Sequence, residues 1–421
     1  MKYRIWFSTE SFADYVIDKT ILKTKSYDKR KMFESDANNA KNFHAMPEHI
    51  KKILYLDAPD LIVELITANG FEPIFSIEES KEAGTGHNAF QRFARLAASV
   101  ENNVPAFYIY PEAVIVERDD AKKVRRIKTW DKINPLVFKA MDEVMSIYKI
   151  PALLFYFPTY FQSHPNPYTS PKQLQKGRKH DPKAKYASCP DSTDSEMLEL
   201  FNVINETIDE VEKFGALEGR QRLLSNLTIR ARRSWMNNEF VSKKGNLDWS
   251  PLSSTILVDT KILVSYLTKF AGKAHPVGEL LNSRKQTLIY CIDAGFRGDP
   301  YPGALAAIDY LMCRTGKTFE DRKHNLVICF GKLEVNKGVL KISDNPKTKT
   351  STISDFIKDV KSSEKKNLLT KDYQEIKKGE IPRYYMQVRY GSTYSKVKHV
   401  RVFAYFADSI LFPDGALWRD A

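Results

Sequence analysis

Apolar and polar positions in the first 160 residues switch between helical and strand-like spacing, and the switching predicts the elements. Residues 46–56 place Ile50, Ile53 and Leu54 on one stripe behind Pro47, which suits a helix beginning at that proline. Residues 61–66 are a short apolar run of β type, Asn69-Gly70 supplies turn chemistry, and residues 73–77 form a second run, so a hairpin is expected. Residues 88–100 return to helical spacing through Phe90, Phe93, Ala94, Leu96 and Ala97. Strands follow at 104–110 and 113–116, a helix at 135–147 introduced by Asn134 and Pro135, and a strand at 152–157. The order predicts an α/β fold, a mixed sheet flanked by helices.

Residues 163–190 carry prolines and charges without periodicity, so a basic linker or surface loop is expected between a first domain over 1–162 and a second α+β module over 191–421. In that module helices are expected at 192–214, 218–235 and 303–314, and strands at 255–258, 287–292 and 326–330. Two further β-runs, 383–390 and 399–406, are expected on either side of a polar turn at Gly391-Ser392, the basic and aromatic residues of the first suiting a groove-reading ribbon and a sheet edge equally, and the whole module is expected to serve DNA recognition or dimerisation. Helically spaced Phe138, Met141, Val144, Met145 and Tyr148 read as core.

Composition narrows the classes. The chain of 421 residues is 43% hydrophobic and 12% aromatic, which excludes a mainly disordered, collagen-like or disulfide-stapled protein. The first residues lack the apolar stretch of a secretory signal, and residues 150–161 are too short to cross a bilayer and contain Pro151 and Pro158, so no membrane partner is expected. Four cysteines, Cys189, Cys291, Cys313 and Cys329, fit no zinc-ligand spacing, which suits a reducing cytoplasmic location without structural zinc. A net charge of +13 favours polyanionic partners. Clustering strengthens this: Lys122, Lys123, Arg125, Arg126 and Lys128; Arg178 and Lys179 among other lysines of the 163–190 stretch; and Arg230, Arg232 and Arg233 beside Trp235. Each cluster reads either as a DNA-binding surface or as a solvated face.

The chemistry concentrates in the hairpin. Asp60 stands where its first strand begins, and Glu79 and Lys81 stand where its second ends. Antiparallel pairing brings those ends together, and strand alternation puts Glu79 and Lys81 on one face and Glu78 and Ser80 on the other. Two carboxylates and an ammonium at one place make a site for a hard cation such as Mg²⁺, which takes oxygen ligands and keeps several waters. Beside a phosphodiester, the ion would polarise phosphorus and acidify a bound water, and Lys81 would orient that water or offset developing charge. The alternative is an ion pair at a strand end. Glu78 is a rival to Glu79 as the second carboxylate.

This pattern resembles the PD-(D/E)XK nuclease superfamily: Pro59-Asp60, then Glu79-Ser80-Lys81, with Glu79 following Asp60 by 19 positions. The likeness spans residues 45–115, where helix, hairpin, helix and strand follow in the order of that family's core. It implies a restriction-endonuclease-like sheet, Asp60 and Glu79 as Mg²⁺ ligands, and Lys81 assisting the attacking water. Gln91 and Arg95 fall where some members carry a supporting polar residue, although Asn88 and Gln91 also fit a capping box. A single motif with a large basic module resembles a type II restriction endonuclease, cutting double-stranded DNA as a homodimer on a palindromic site. Other nucleases of the superfamily, and a non-catalytic nucleic-acid-binding protein, are the alternatives. His87, beside Gly84-Thr85-Gly86, reads as a solvated loop residue or as a contact to a phosphate or a water. Arg297, in the glycine-rich loop 293–303 between a strand and a helix, is either a phosphate or guanine contact or part of a tight connection.

Overall fold

The computed structural model describes residues 1–32, 43, 45–80, 90, 92–111, 114–119, 124–129, 135–157, 186, 189–190, 192–238, 254–271, 281–292, 300–318, 320–344, 352–356, 358, 385–386 and 398–419. Its contacts divide the chain into two compact units, the second taking residues from 250 onward together with the short stretch 55–57.

In the first unit the elements run β1 (Lys2–Phe7), α1 (Glu10–Lys19), β2 (Ser26–Lys31), α2 (Glu48–Leu54), β3 (Leu61–Thr67), β4 (Gly70–Glu79), α3 (Phe93–Glu101), β5 (Ala106–Pro111), β6 (Val114–Asp119), β7 (Val124–Thr129), α4 (Pro135–Tyr148) and β8 (Ala152–Phe157). Six of the strands form one sheet in the order β2-β1-β3-β4-β5-β8, while β6 and β7 pair as a separate hairpin. Strand β3 runs antiparallel to both β1 and β4, whereas β4, β5 and β8 are mutually parallel. Consecutive residues Leu61, Ile62, Val63, Glu64 and Leu65 are all buried, as are Ala106 to Tyr110, so both faces of the sheet are covered. The expected mixed α/β architecture is therefore present.

The two helices expected at the start of the second module lie in the first unit and are three: α5 (Ser195–Phe214), α6 (Ala216–Arg222) and α7 (Leu227–Met236). Helix α5 starts at Asp194, whose side chain accepts from the Glu196 amide, and buries Met197, Leu200, Phe201, Ile204, Ile208 and Val211. The helix expected over 218–235 is broken, because Asn226 caps a new one by accepting from the amides of Thr228 and Ile229. Gly215 turns the chain at φ +83°, and a Cβ at Gly219 would lie 2.7 Å from the Glu210 carbonyl oxygen, which fixes the close crossing of α6 on α5.

The second unit is built on another mixed sheet, from β9 (Thr255–Asp259), α8 (Thr260–Ala271), β10 (Gln286–Cys291), α9 (Pro300–Ile308), β11 (Asn325–Cys329), a hairpin of β12 (Lys332–Asn336) and β13 (Val339–Ser343), β14 (Tyr385–Met386), α10 (Lys398–Phe406), β15 (Ser409–Phe412) and β16 (Gly415–Arg419). The sheet order is β14-β16-β15-β11-β10-β9. Residues 399–406, expected as a strand, form helix α10 instead. His399 and Arg401 mimic a period of two, yet Arg401 is fully buried and donates to the carbonyls of Tyr55 and Leu56 at 3.0 and 3.2 Å. Of the run expected over 383–390, only Tyr385–Met386 is described, as a strand beside β16. The 163–190 segment lies outside the described residues except for residues 186, 189 and 190.

Four charges in this unit meet in its interior. Arg322 pairs with Asp309 at 2.9 Å and with Asp408 at 3.4 Å, and Arg314 donates to the other Asp309 oxygen at 2.9 Å, all with at most 1% side-chain exposure. Among the described residues no helix is long and apolar enough to cross a membrane.

Candidate active site

Asp60 precedes β3 by one residue, and three strands hold it. Its amide donates to Ile77 at 3.0 Å and its carbonyl accepts from the Ser8 amide at 2.9 Å, which continues the pairing of Phe7 with Leu61. Its carboxylate spans the same gap: Oδ1 accepts from the Ser8 hydroxyl at 2.9 Å and Oδ2 accepts from the Glu79 amide at 2.8 Å. The Asp60 carboxylate is thus fixed between the ends of β1 and β4 by two donors. Each oxygen keeps a lone pair for a further donor or a cation.

Glu78 and Glu79 close β4, and both are buried. Side chains alternate across the sheet, so Glu78 shares a face with Ser76 and Ser80. That face meets α3, where the Ser76 hydroxyl donates to that of Ser99 at 2.8 Å, and it meets β5, where Ser80 and Tyr108 hydroxyls lie 2.8 Å apart. Glu78 Oε1 takes Arg95 at 2.5 Å and Arg92 at 3.1 Å. Its other oxygen, Oε2, is buried without a hydrogen-bond partner.

Burial pushes the Glu78 carboxyl up to about 7, opposed by Arg95 and reinforced by the nearby negative charge of Asp60. The ordinary glutamate value in an unfolded chain lies well below this, so the folded form holds the proton more tightly. Glu78 therefore stabilises the fold fully below about pH 4.5, and that contribution fades as pH rises through about 7. Glu78→Gln, which keeps an uncharged acceptor for the arginines, is expected to flatten the pH dependence of unfolding between these limits. Urea titrations of both proteins across that range check it, and an unchanged slope would contradict the assignment.

Lys81 and Gln91 lie outside the described residues, as do His87, the 84–86 glycines, Arg297, Lys122, Lys123, Arg178 and Lys179. Arg125 and Arg126 lie on β7, paired across its hairpin with Arg118 and Glu117. Arg230 is exposed, but its neighbours are not docking groups. Arg232 is 4% exposed, grips Glu196 with two nitrogens at 3.0 and 2.6 Å, donates to the Leu154 carbonyl and lies over Phe155 and Trp235. Arg233 pairs with Asp142 at 2.7 Å and Ser146 at 2.9 Å. Both join α7 to the rest of the first unit, and Arg232 is too buried to reach a phosphate.

Two participants escaped the sequence reading. Ser8 carried no signal, because its contact depends on pairing β1 with a strand more than fifty positions away. Arg92 was hidden beside the apolar stripe of α3, although its spacing of three from Arg95 puts both on one helical side.

No family model matches this chain, and no curated protein or solved structure matches it. Function has to be read from these side chains. Among the described residues no group of three or more His, Cys, Asp or Glu side chains is placed to hold a metal ion. A Mg²⁺ ion does not require three, since two carboxylates with waters and a phosphate oxygen complete its shell. The Asp60 carboxylate, preset by its two donors, supplies hard oxygens that fit such an ion, and the register of Leu61 with Ile77 puts Glu78, whose Oε2 has no hydrogen-bond partner, across from it.

Proposed function

We propose that this chain is a Mg²⁺-dependent endonuclease of the PD-(D/E)XK kind that hydrolyses double-stranded DNA. The observation that carries the reading is the Asp60 carboxylate, locked by Ser8 and the Glu79 amide at the mouth of a hairpin that ends in two buried glutamates. The order of the surrounding elements supports it: the hairpin is followed by α3 and then by β5 parallel to β4. Asp60 and Glu79 would hold the ion. When bound, it would act as a Lewis acid toward the phosphate and lower the pKa of the attacking water. Lys81, two positions after Glu79, would orient that water, and Asp60 would keep its place without reorganising because both its oxygens are already tethered.

Glu78 is the second reading for the second ligand, favoured by its unpartnered Oε2 and by the field of Asp60. Against it, Arg92 and Arg95 already neutralise Glu78, so an ion there would compete with two guanidinium groups. Glu79→Gln is expected to abolish Mg²⁺ binding and Glu78→Gln to leave it; the reverse result moves the ligand to Glu78.

Plasmid DNA incubated with the protein and Mg²⁺, and in parallel with EDTA, tests the reaction. Discrete fragments that need the metal are expected for a site-specific enzyme acting as a homodimer in the cytoplasm, with log K for DNA falling by about 0.9 per phosphate neutralised as log salt rises. A smear would indicate a nonspecific nuclease of the same chemistry. Intact, retarded DNA would reduce the protein to a nucleic-acid-binding module and overturn the reading.

A further inference from the structure

Cysteine chemistry in the second unit is independent of the hairpin. Cys291 and Cys329 are register partners on the parallel strands β10 and β11. Adjacent strands run about 4.8 Å apart, inside the roughly 4.4–6.8 Å between Cα atoms that a disulfide spans. Partners in register project to the same face, so the two thiols are neighbours across the strand pair, and the Cys329 thiol donates to the Gly331 carbonyl at 4.0 Å. None of the four cysteines is disulfide-bonded. The pair is asymmetric: Cys329 is fully buried among Val258, Leu263, Ile289 and Leu411, while Cys291 is partly exposed at the strand end. The neighbouring Cys329 thiol lowers the Cys291 thiol below its ordinary value, while the Cys291 thiol and burial raise that of Cys329. A more acidic outer thiol beside a buried inner thiol is the arrangement that reacts at one sulfur and resolves at the other.

We propose that Cys291 and Cys329 form a dithiol site that a small hydroperoxide oxidises to an intramolecular disulfide. The Cys291 sulfur attacks the outer peroxide oxygen, an S–O bond forms, the O–O bond breaks, and the departing oxygen takes the proton that Cys291 gave up. The Cys329 sulfur then attacks the Cys291 sulfenic acid. An S–S bond forms, the S–O bond breaks, and hydroxide leaves as water with the Cys329 proton. Two thiols lose two electrons and one peroxide gains them.

The test uses the full chain and hydrogen peroxide. After a short exposure the protein is denatured in a thiol-alkylating reagent, digested without reductant and weighed by mass spectrometry. Expected is loss of two of the four alkylatable thiols, with the peptides of Cys291 and Cys329 joined and lighter by two hydrogens, and Cys189 and Cys313 alkylated; dithiothreitol restores all four. Cys291 oxidised to sulfinic acid beside an alkylated Cys329, or no loss of thiol, would overturn the proposal. In Cys291→Ser the peroxide should leave Cys329 wholly alkylatable, and oxidation of Cys329 there would equally overturn it. Because the wild-type readout stands alone, a poorly folding variant does not remove the test.

Discussion

Asp60→Asn is expected to lower metal-dependent DNA cleavage by at least about 100-fold, since even partners that only orient a metal ligand are worth 10–100-fold in affinity or activity. The substitution keeps the size of the side chain and removes its charge. It also keeps the local hydrogen bonds: the amide oxygen can accept from the Glu79 amide, and the new NH₂ can donate to Ser8, whose hydroxyl both donates and accepts. Folding stability should therefore change by no more than about 1 kcal/mol. DNA retardation without metal should be retained, because in the proposed reading docking would rest on Lys and Arg contacts with phosphate. Asp60→Ala is the poorer variant, as it strands the Glu79 amide without an acceptor. Undiminished cleavage by Asp60→Asn in a timed plasmid digest would remove Asp60 from the chemistry.

Arg322→Met should be the most destabilising single change in the second unit. The guanidinium sits between Asp309 and Asp408, donates to the Phe406 carbonyl, and has no side-chain exposure. Its loss leaves two buried carboxylates, with Arg314 paired to Asp309. Asp408 would keep the Leu326 amide at 2.9 Å but lose its cation. Breaking a buried pair by removing one partner costs about 3–5 kcal/mol, a large part of the roughly 5–15 kcal/mol that holds a domain together. Hydrogen exchange should localise the loss to β11 and β15, the strands that Asp408 and its neighbours join, with the strands of the first unit still protected. A shift of less than about 1 kcal/mol in urea unfolding would mean that the cluster is not holding this sheet.

The hairpin was legible in the sequence because its signals are local: a mostly apolar run over 61–66, a turn dipeptide and a second run. Helix α4 and strand β8 were legible for the same reason. What escaped was set by distant partners. Strand β2 reads SYDKRK with no buried residue, so its only strand signal is its pairing with β1 at the sheet edge. Arg401 looks like an outward-facing strand residue until the Tyr55 and Leu56 carbonyls are seen to receive it. The cluster of Arg230, Arg232 and Arg233 looks like a basic patch, yet Arg232 stacks over Phe155 and grips Glu196. In the site, Asp60 and the two glutamates were visible as charged residues at the ends of apolar runs. Their tethers to Ser8, Arg92 and Arg95 were not, because each requires the folded sheet.

The most direct measurement is crystallographic: crystals soaked in Mn²⁺, whose anomalous scattering marks its position, in place of Mg²⁺. A peak within ligand distance of the Asp60 and Glu79 carboxylates, absent in Asp60→Asn crystals, is the predicted result. No peak near Asp60 at saturating metal, with both carboxylates in view, would contradict a metal-assisted nuclease.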